Sequence, residues 1–83
     1  VAEVHVRYFA AAEEAAGRPE ERLDLPEPTI EGLQRELVAR YGEPMERVVR
    51  SGSFLVGGIV SRDPSRELTL ATPVDVLPPF AGG

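Results

Sequence analysis

The chain has 83 residues, nine arginines against fourteen carboxylates and no lysine, which gives a formal charge of −5 and a pI near 4.8. That length accommodates one domain with a thin margin of stability, and the acidity excludes the basic footprint that nucleic acid requires. The absence of cysteine excludes disulfides and thiolate chemistry, and with no cationic, apolar leader and no apolar run of roughly 20 residues, the expectation is a small acidic cytoplasmic domain.

Residues Glu3 to Phe9 alternate, with Val4, Val6 and Tyr8 on one face and His5, Arg7 and Phe9 on the other, the period-two signature of a strand. Ala10 to Ala16 consists of strong helix formers followed by Gly17, which predicts a short helix with a left-handed stop. Glu20 to Leu25 alternates again through Leu23 and Leu25, so the first two strands are expected to form a hairpin widened by that helical turn.

Pro26 and Pro28 end the second strand, and Thr29 is a good N-cap for a second helix. Ile30, Leu33, Leu37, Val38 and Tyr41 share one stripe of a 3.6-residue helix. Glu31 early and Arg40 late both suit the helix dipole, and Gly42 stops the helix. This is the expected main helix. Pro44 opens another short helical turn carrying Met45, Val48 and Val49. Two apolar runs then flank Gly57-Gly58, which supply the positive φ angles of a tight hairpin. Beyond a polar loop around Pro64, Leu68 and Leu70 are expected to tuck a connecting segment onto the core. Val74 to Leu77 forms the last strand before Pro78 and Pro79 bar any further ladder.

The order ββ, helix, ββ, with the first and last strands parallel at the sheet centre, is the β-grasp arrangement: an α+β fold with a mixed sheet and one main helix packed on one face. The expected boundaries are 1–77 for the domain and 78–83 for an extended tail. With the helix stripe facing Val4, Val6, Val74 and Val76, Phe9 and Leu77 fall on the opposite, uncovered face. Two large apolar side chains there mark a docking surface.

Catalytic constellations are nearly absent. The single histidine, His5, alternates with Arg7 on a strand edge and reads as a solvated residue. No HExxH, Walker or GxGxxG spacing occurs, Gly57-Gly58 has no lysine beside it, and the carboxylates are read as solvating helix surfaces and loops. No metal site is expected. The lack of lysine reads first as arginine-biased codon usage or heat adaptation, although it also leaves no side-chain amine to trap an activated terminus. What stands apart is the ending, LPPFAGG. Two prolines hold the backbone extended, so Pro78 to Gly83 are expected to project over about 20 Å. Glycine has no Cβ, which lets such a terminus enter a narrow channel in another protein.

The opening VRYFA with its following helix and Gly17, the helix stripe, the FLVGG hairpin and the PPFAGG ending together resemble the MoaD family over essentially the whole chain. These are ubiquitin-like sulfur carriers that form the small subunit of molybdopterin synthase. The resemblance implies a sulfur donor in molybdenum cofactor synthesis that is not catalytic alone. It implies that Gly83 is adenylated and converted to a thiocarboxylate, that Pro78, Pro79, Phe80, Ala81 and Gly82 thread into the partner, and that Phe9 and Leu77 belong to the apolar docking face. The implied partners are a MoaE-like large subunit, an E1-like (MoeB-like) adenylating enzyme using ATP and magnesium, and a sulfur donor such as a persulfide. The chain itself is expected to bind no cofactor. Phe80 stands where many members carry a smaller valine, and Asp75 interrupts a strand end that is often more apolar. A carrier for thiamin or cysteine synthesis shares the Gly-Gly ending, as does a ubiquitin-like modifier that forms isopeptides. The PPFAGG approach favours the molybdopterin reading.

Overall fold

The computed structural model describes residues 2–79, in the order β1 (Ala2–Tyr8), α1 (Ala11–Ala16), β2 (Glu20–Leu25), α2 (Ile30–Tyr41), α3 (Glu43–Ser51), β3 (Ser53–Val56), β4 (Ile59–Ser61) and β5 (Val74–Leu77). The strands form one mixed sheet ordered β2-β1-β5-β3-β4. β1 is antiparallel to β2 and parallel to β5, and β3 is antiparallel to both β5 and β4. A parallel pair needs a long crossover, and here the chain between β1 and β5 includes the helices and the hairpin.

The expected alternation is realised. Val4, Val6, Val74 and Val76 are fully buried against Leu33, Leu37 and Met45. Each such aliphatic side chain contributes on the order of 1.5–3 kcal/mol by leaving water. α1 is stopped by Gly17, whose φ is +76°. α2 starts where Thr29 accepts a hydrogen bond from the Gly32 amide at 3.0 Å, a cap that stabilises by about 1 kcal/mol. Gly32 itself is obligatory for packing, because a Cβ there would stand 1.9 Å from the Glu27 carbonyl oxygen.

Three local expectations are corrected. The turn at Pro44 is a full nine-residue helix, α3, that buries Met45 and Val48. Its polar majority hides this from composition, but Glu43–Arg47 at 2.7 Å and Glu46–Arg50 at 3.2 Å are i,i+4 pairs that support its exposed side. Leu68 is buried, its amide bonded to the Pro28 carbonyl at 2.8 Å, but Leu70 is 43% exposed. The chain turns after Thr69, whose carbonyl accepts from the Thr72 amide, and this carries Leu70 off the core. His5 is not on an edge strand, since β2 covers β1. It is half-buried, with Nε2 2.5 Å from a Glu20 carboxylate oxygen.

One carboxylate has a structural role that its place in a charged strand concealed. Glu21 accepts hydrogen bonds from the hydroxyls of Tyr8, at 2.5 Å, and Tyr41, and its other oxygen lies 3.4 Å from Arg18. The two rings meet edge to face at 6.3 Å, so the cluster ties β1, β2 and α2 together. Burial, and then the bond to Glu21, raises the pKa of both phenols above the ordinary tyrosine value. A folded-state pKa raised above the unfolded one contributes stability that is present below the unfolded value and lost as pH rises. Urea midpoints measured against pH are therefore expected to fall above about pH 10, the unfolded tyrosine pKa, and to fall less steeply in Tyr8→Phe. A wild-type midpoint that stays level through that range would contradict the cluster's role.

Candidate partner-docking face

The register of the central parallel pair fixes the site. Val6 stands beside Val74, Arg7 beside Asp75 and Tyr8 beside Val76. Because side chains alternate, the valines and Tyr8 enter the core, while Arg7 and Asp75 share the face that no helix covers. β1 ends at Tyr8, yet the Phe9 amide still donates to the Val76 carbonyl at 3.2 Å. The pairing thus brings Phe9 level with Leu77. Phe9 is 41% exposed and Leu77 half-buried.

β3 and β4 widen this face with two residues that sequence reasoning missed. Leu55 is the register partner of Asp75 on one side and of Val60 on the other. Leu55 is half-buried and Val60 is 50% exposed. The Gly57-Gly58 turn, with φ of +60° and +84°, carried the signal. A two-residue turn pairs Val56 with Ile59 and hence Leu55 with Val60.

Between these apolar residues lies the Arg7–Asp75 ion pair. The Arg7 guanidinium donates from Nε to Asp75 Oδ1 at 2.6 Å and from Nη2 to Oδ2 at 3.0 Å. That two-point match of planar groups suits arginine and not lysine. Asp75 is only 8% exposed, and its carboxylate raises the Arg7 pKa, through the hydrogen bond first and direct attraction second. The acidic residue that breaks the apolar strand end is therefore matched by a cation on the neighbouring strand.

The chain leaves the sheet beside this surface. Leu77 pairs with Ser53, and a Cβ at Gly52 would lie 2.0 Å from the Leu77 carbonyl oxygen and 2.7 Å from that of Val48. Only glycine lets α3 close against the end of β5. Pro78 follows half-buried and Pro79 exposed, whereas Phe80, Ala81, Gly82 and Gly83 lie outside the described residues. Among the described residues no group of three histidine, cysteine or acidic side chains is placed to hold a metal ion, and no helix is long and apolar enough to cross a membrane. What the site presents is an apolar patch around the Arg7–Asp75 pair, bordered on the β1–β2 side of the same face by the Glu3–Arg22 ion pair and the His5–Glu20 contact.

No family model and no curated protein matches the chain. Solved structures do. A Pyrococcus furiosus protein described as molybdopterin converting factor subunit 1 is 28% identical, with a TM-score of 0.81 over 96% of this chain and 100% of its own. Small archaeal modifier protein 1 from Methanosarcina acetivorans is also 28% identical, with a TM-score of 0.71 over 99% of this chain and 97% of its own. A chain of the complex of subunits 1 and 2 of the Helicobacter pylori molybdopterin-converting factor shares the fold at 16% identity, with a TM-score of 0.69 over 98% and 99%.

Asp75 is the poorly solvated partner, with 11% of its side chain exposed against 42% for Arg7. Removing Arg7 therefore strands a buried carboxylate, whereas replacing both with apolar groups can be neutral or stabilising. Arg7→Leu is expected to lower the urea midpoint, and adding Asp75→Leu to recover most or all of the loss. A double variant as unstable as the sum of the two single ones would show that the pair does not couple β1 to β5.

Proposed function

We propose that this chain, whose ubiquitin-like β-grasp fold is that of MoaD-like proteins, is a cytoplasmic sulfur carrier for molybdopterin synthesis, the small subunit of a two-part synthase. One observation carries the proposal. The parallel β1–β5 pair sets Phe9 and Leu77 side by side on an uncovered face, at the point where the chain passes into Pro78-Pro79. A large subunit seated on that face is positioned to receive residues 78–83. The neighbour from the H. pylori complex supports a large-subunit partner of the MoaE type.

The chemistry assigned to Gly83 follows from the weakness of a carboxylate as an electrophile. An α-carboxylate has a pKa of about 3.3–3.7 and is an anion at neutral pH. In the proposed scheme a separate E1-like enzyme, supplying ATP and magnesium, joins the Gly83 carboxylate to AMP and releases pyrophosphate. Sulfide then bonds to the carbonyl carbon and AMP leaves, which places a thiocarboxylate on Gly83 directly. A persulfide donor instead displaces AMP to give an acyl disulfide, and a second thiol of the donor enzyme cleaves its S–S bond, forming a disulfide and releasing the thiocarboxylate. Transfer of that sulfur to the pterin precursor in the large subunit, with hydrolysis, restores the carboxylate. The chain supplies no acid or base in this cycle. It is substrate and carrier, and Gly82 with the stalk from Pro78 to Ala81 delivers the sulfur.

The 28% identity to an archaeal modifier protein favours a second reading, in which the same activated glycine forms isopeptides with other proteins. Intact mass separates the two. Incubated with an activating enzyme, ATP and a sulfur donor, the chain is expected to gain the mass of one oxygen exchanged for one sulfur, located at Gly83. Conjugates on lysines of other proteins, without that exchange, would instead establish the modifier. In the same system, Phe9→Asp and Leu77→Asp are expected to weaken binding of a MoaE-like large subunit while preserving the urea midpoint. Loss of folding would assign these side chains to the core.

A further inference from the structure

Fourteen carboxylates mark this chain, yet one of its cavities has none in its lining. It lies between α2, α3 and the β3–β4 hairpin and holds about 260 Å³. Its polar lining is Gln34, Arg50, Ser53, Ser61 and Arg62, set against apolar surface that includes Phe54. Gln34 and Ser61 are half-buried, and among the described residues neither side chain has a hydrogen-bond partner, whereas Ser53, the register partner of Leu77, turns its side chain to the opposite face. Arg50 is held at 3.2 Å by Glu46, whereas Arg62 has no carboxylate within ion-pair distance among the described residues.

The Arg62 guanidinium, the nitrogens of Arg50 that Glu46 does not hold, the Ser61 hydroxyl on the covered face beside Phe54 and the Gln34 amide are donors, and together they match the oxygens of an anion. A cation would find no charge to offset its dehydration. Arginine's planar fork in particular suits phosphate oxygens. The volume lies below the roughly 300–1,000 Å³ that receives drug-sized ligands, so the occupant is small. The chain's net negative charge opposes anions at long range, but beyond about 8–10 Å that repulsion is screened at physiological salt, which leaves the local donors to decide.

We propose that this cavity binds a phosphate group, free or carried as the monoester of a small sugar. The cavity shares Val60 and strand β3 with the docking face, but its donors Gln34, Arg50, Ser61 and Arg62 are none of the residues of that face, so phosphate binding is testable apart from sulfur carriage. The test is an amide NMR titration of the full chain at fixed ionic strength with inorganic phosphate and with ribose 5-phosphate. Saturable shifts centred on Ser53, Ser61 and Arg62 are expected, and Arg62→Ala is expected to weaken binding by about tenfold, the scale of one charge-assisted contact. Arg47→Ala, which removes an exposed arginine of α3 outside the cavity, is expected to leave the affinity unchanged. Tighter binding of the ester identifies a sugar phosphate as the ligand, and equal binding identifies the free ion. Shifts that do not saturate, that chloride reproduces, or that Arg47→Ala abolishes as fully as Arg62→Ala would overturn the proposal.

Discussion

The parallel pairing of β1 with β5 is the constraint on which the rest of this structure depends. These strands lie far apart in sequence, so their alignment is the costly, non-local step of the fold. Two kinds of contact hold the register. On the covered face, Val4, Val6, Val74 and Val76 meet the helices in an apolar core. On the open face, Arg7 and Asp75 join through two hydrogen bonds. A slip of one residue would turn every side chain to the wrong face, exposing the valines and separating the ions. The ion pair thus specifies an alignment that apolar burial drives.

That alignment also creates the proposed docking surface. Phe9 and Leu77 are 68 positions apart, and become neighbours only because β1 and β5 run side by side. Leu55 and Val60 extend the patch across the remaining strands. A domain this small has little interior to spare for a catalytic site, and its fold instead offers a sheet face beside a chain exit. Arg7 interrupts the face with a charge that is already neutralised by its neighbour, so covering it costs less than covering an isolated cation.

Strand and helix positions were legible in the sequence because they rest on local periodicity. The ends of β2 and β5, the Thr29 cap, the Gly17 stop and the Gly57-Gly58 hairpin all follow from short-range rules. Phe9 and Leu77 could be assigned to the open face for the same reason, since parity along a strand needs no partner. Asp75 was different. Read along the chain it is an acidic flaw in an apolar strand, and its meaning appears only when Arg7 is placed beside it. Glu21 likewise looks solvated in a charged strand, although two tyrosines from different elements converge on it. α3 was underestimated because its apolar residues are few. Leu70 was misplaced because a turn, with no strong residue signal, intervenes. The residues from Phe80 to Gly83, to which the proposed chemistry is assigned from the PPFAGG motif and its resemblance, lie outside the described residues.

The claim that the open face of the sheet is the docking surface is tested most directly by NMR mapping of the complex. Uniformly labelled chain is titrated with a MoaE-like large subunit, and amide and methyl perturbations are followed residue by residue. Docking through this face predicts that Phe9, Leu55, Val60 and Leu77 shift together and saturate at one stoichiometry, while the exposed sides of α2 and α3 remain unperturbed. Perturbations confined to those helices, with the four sheet residues unchanged, would contradict it.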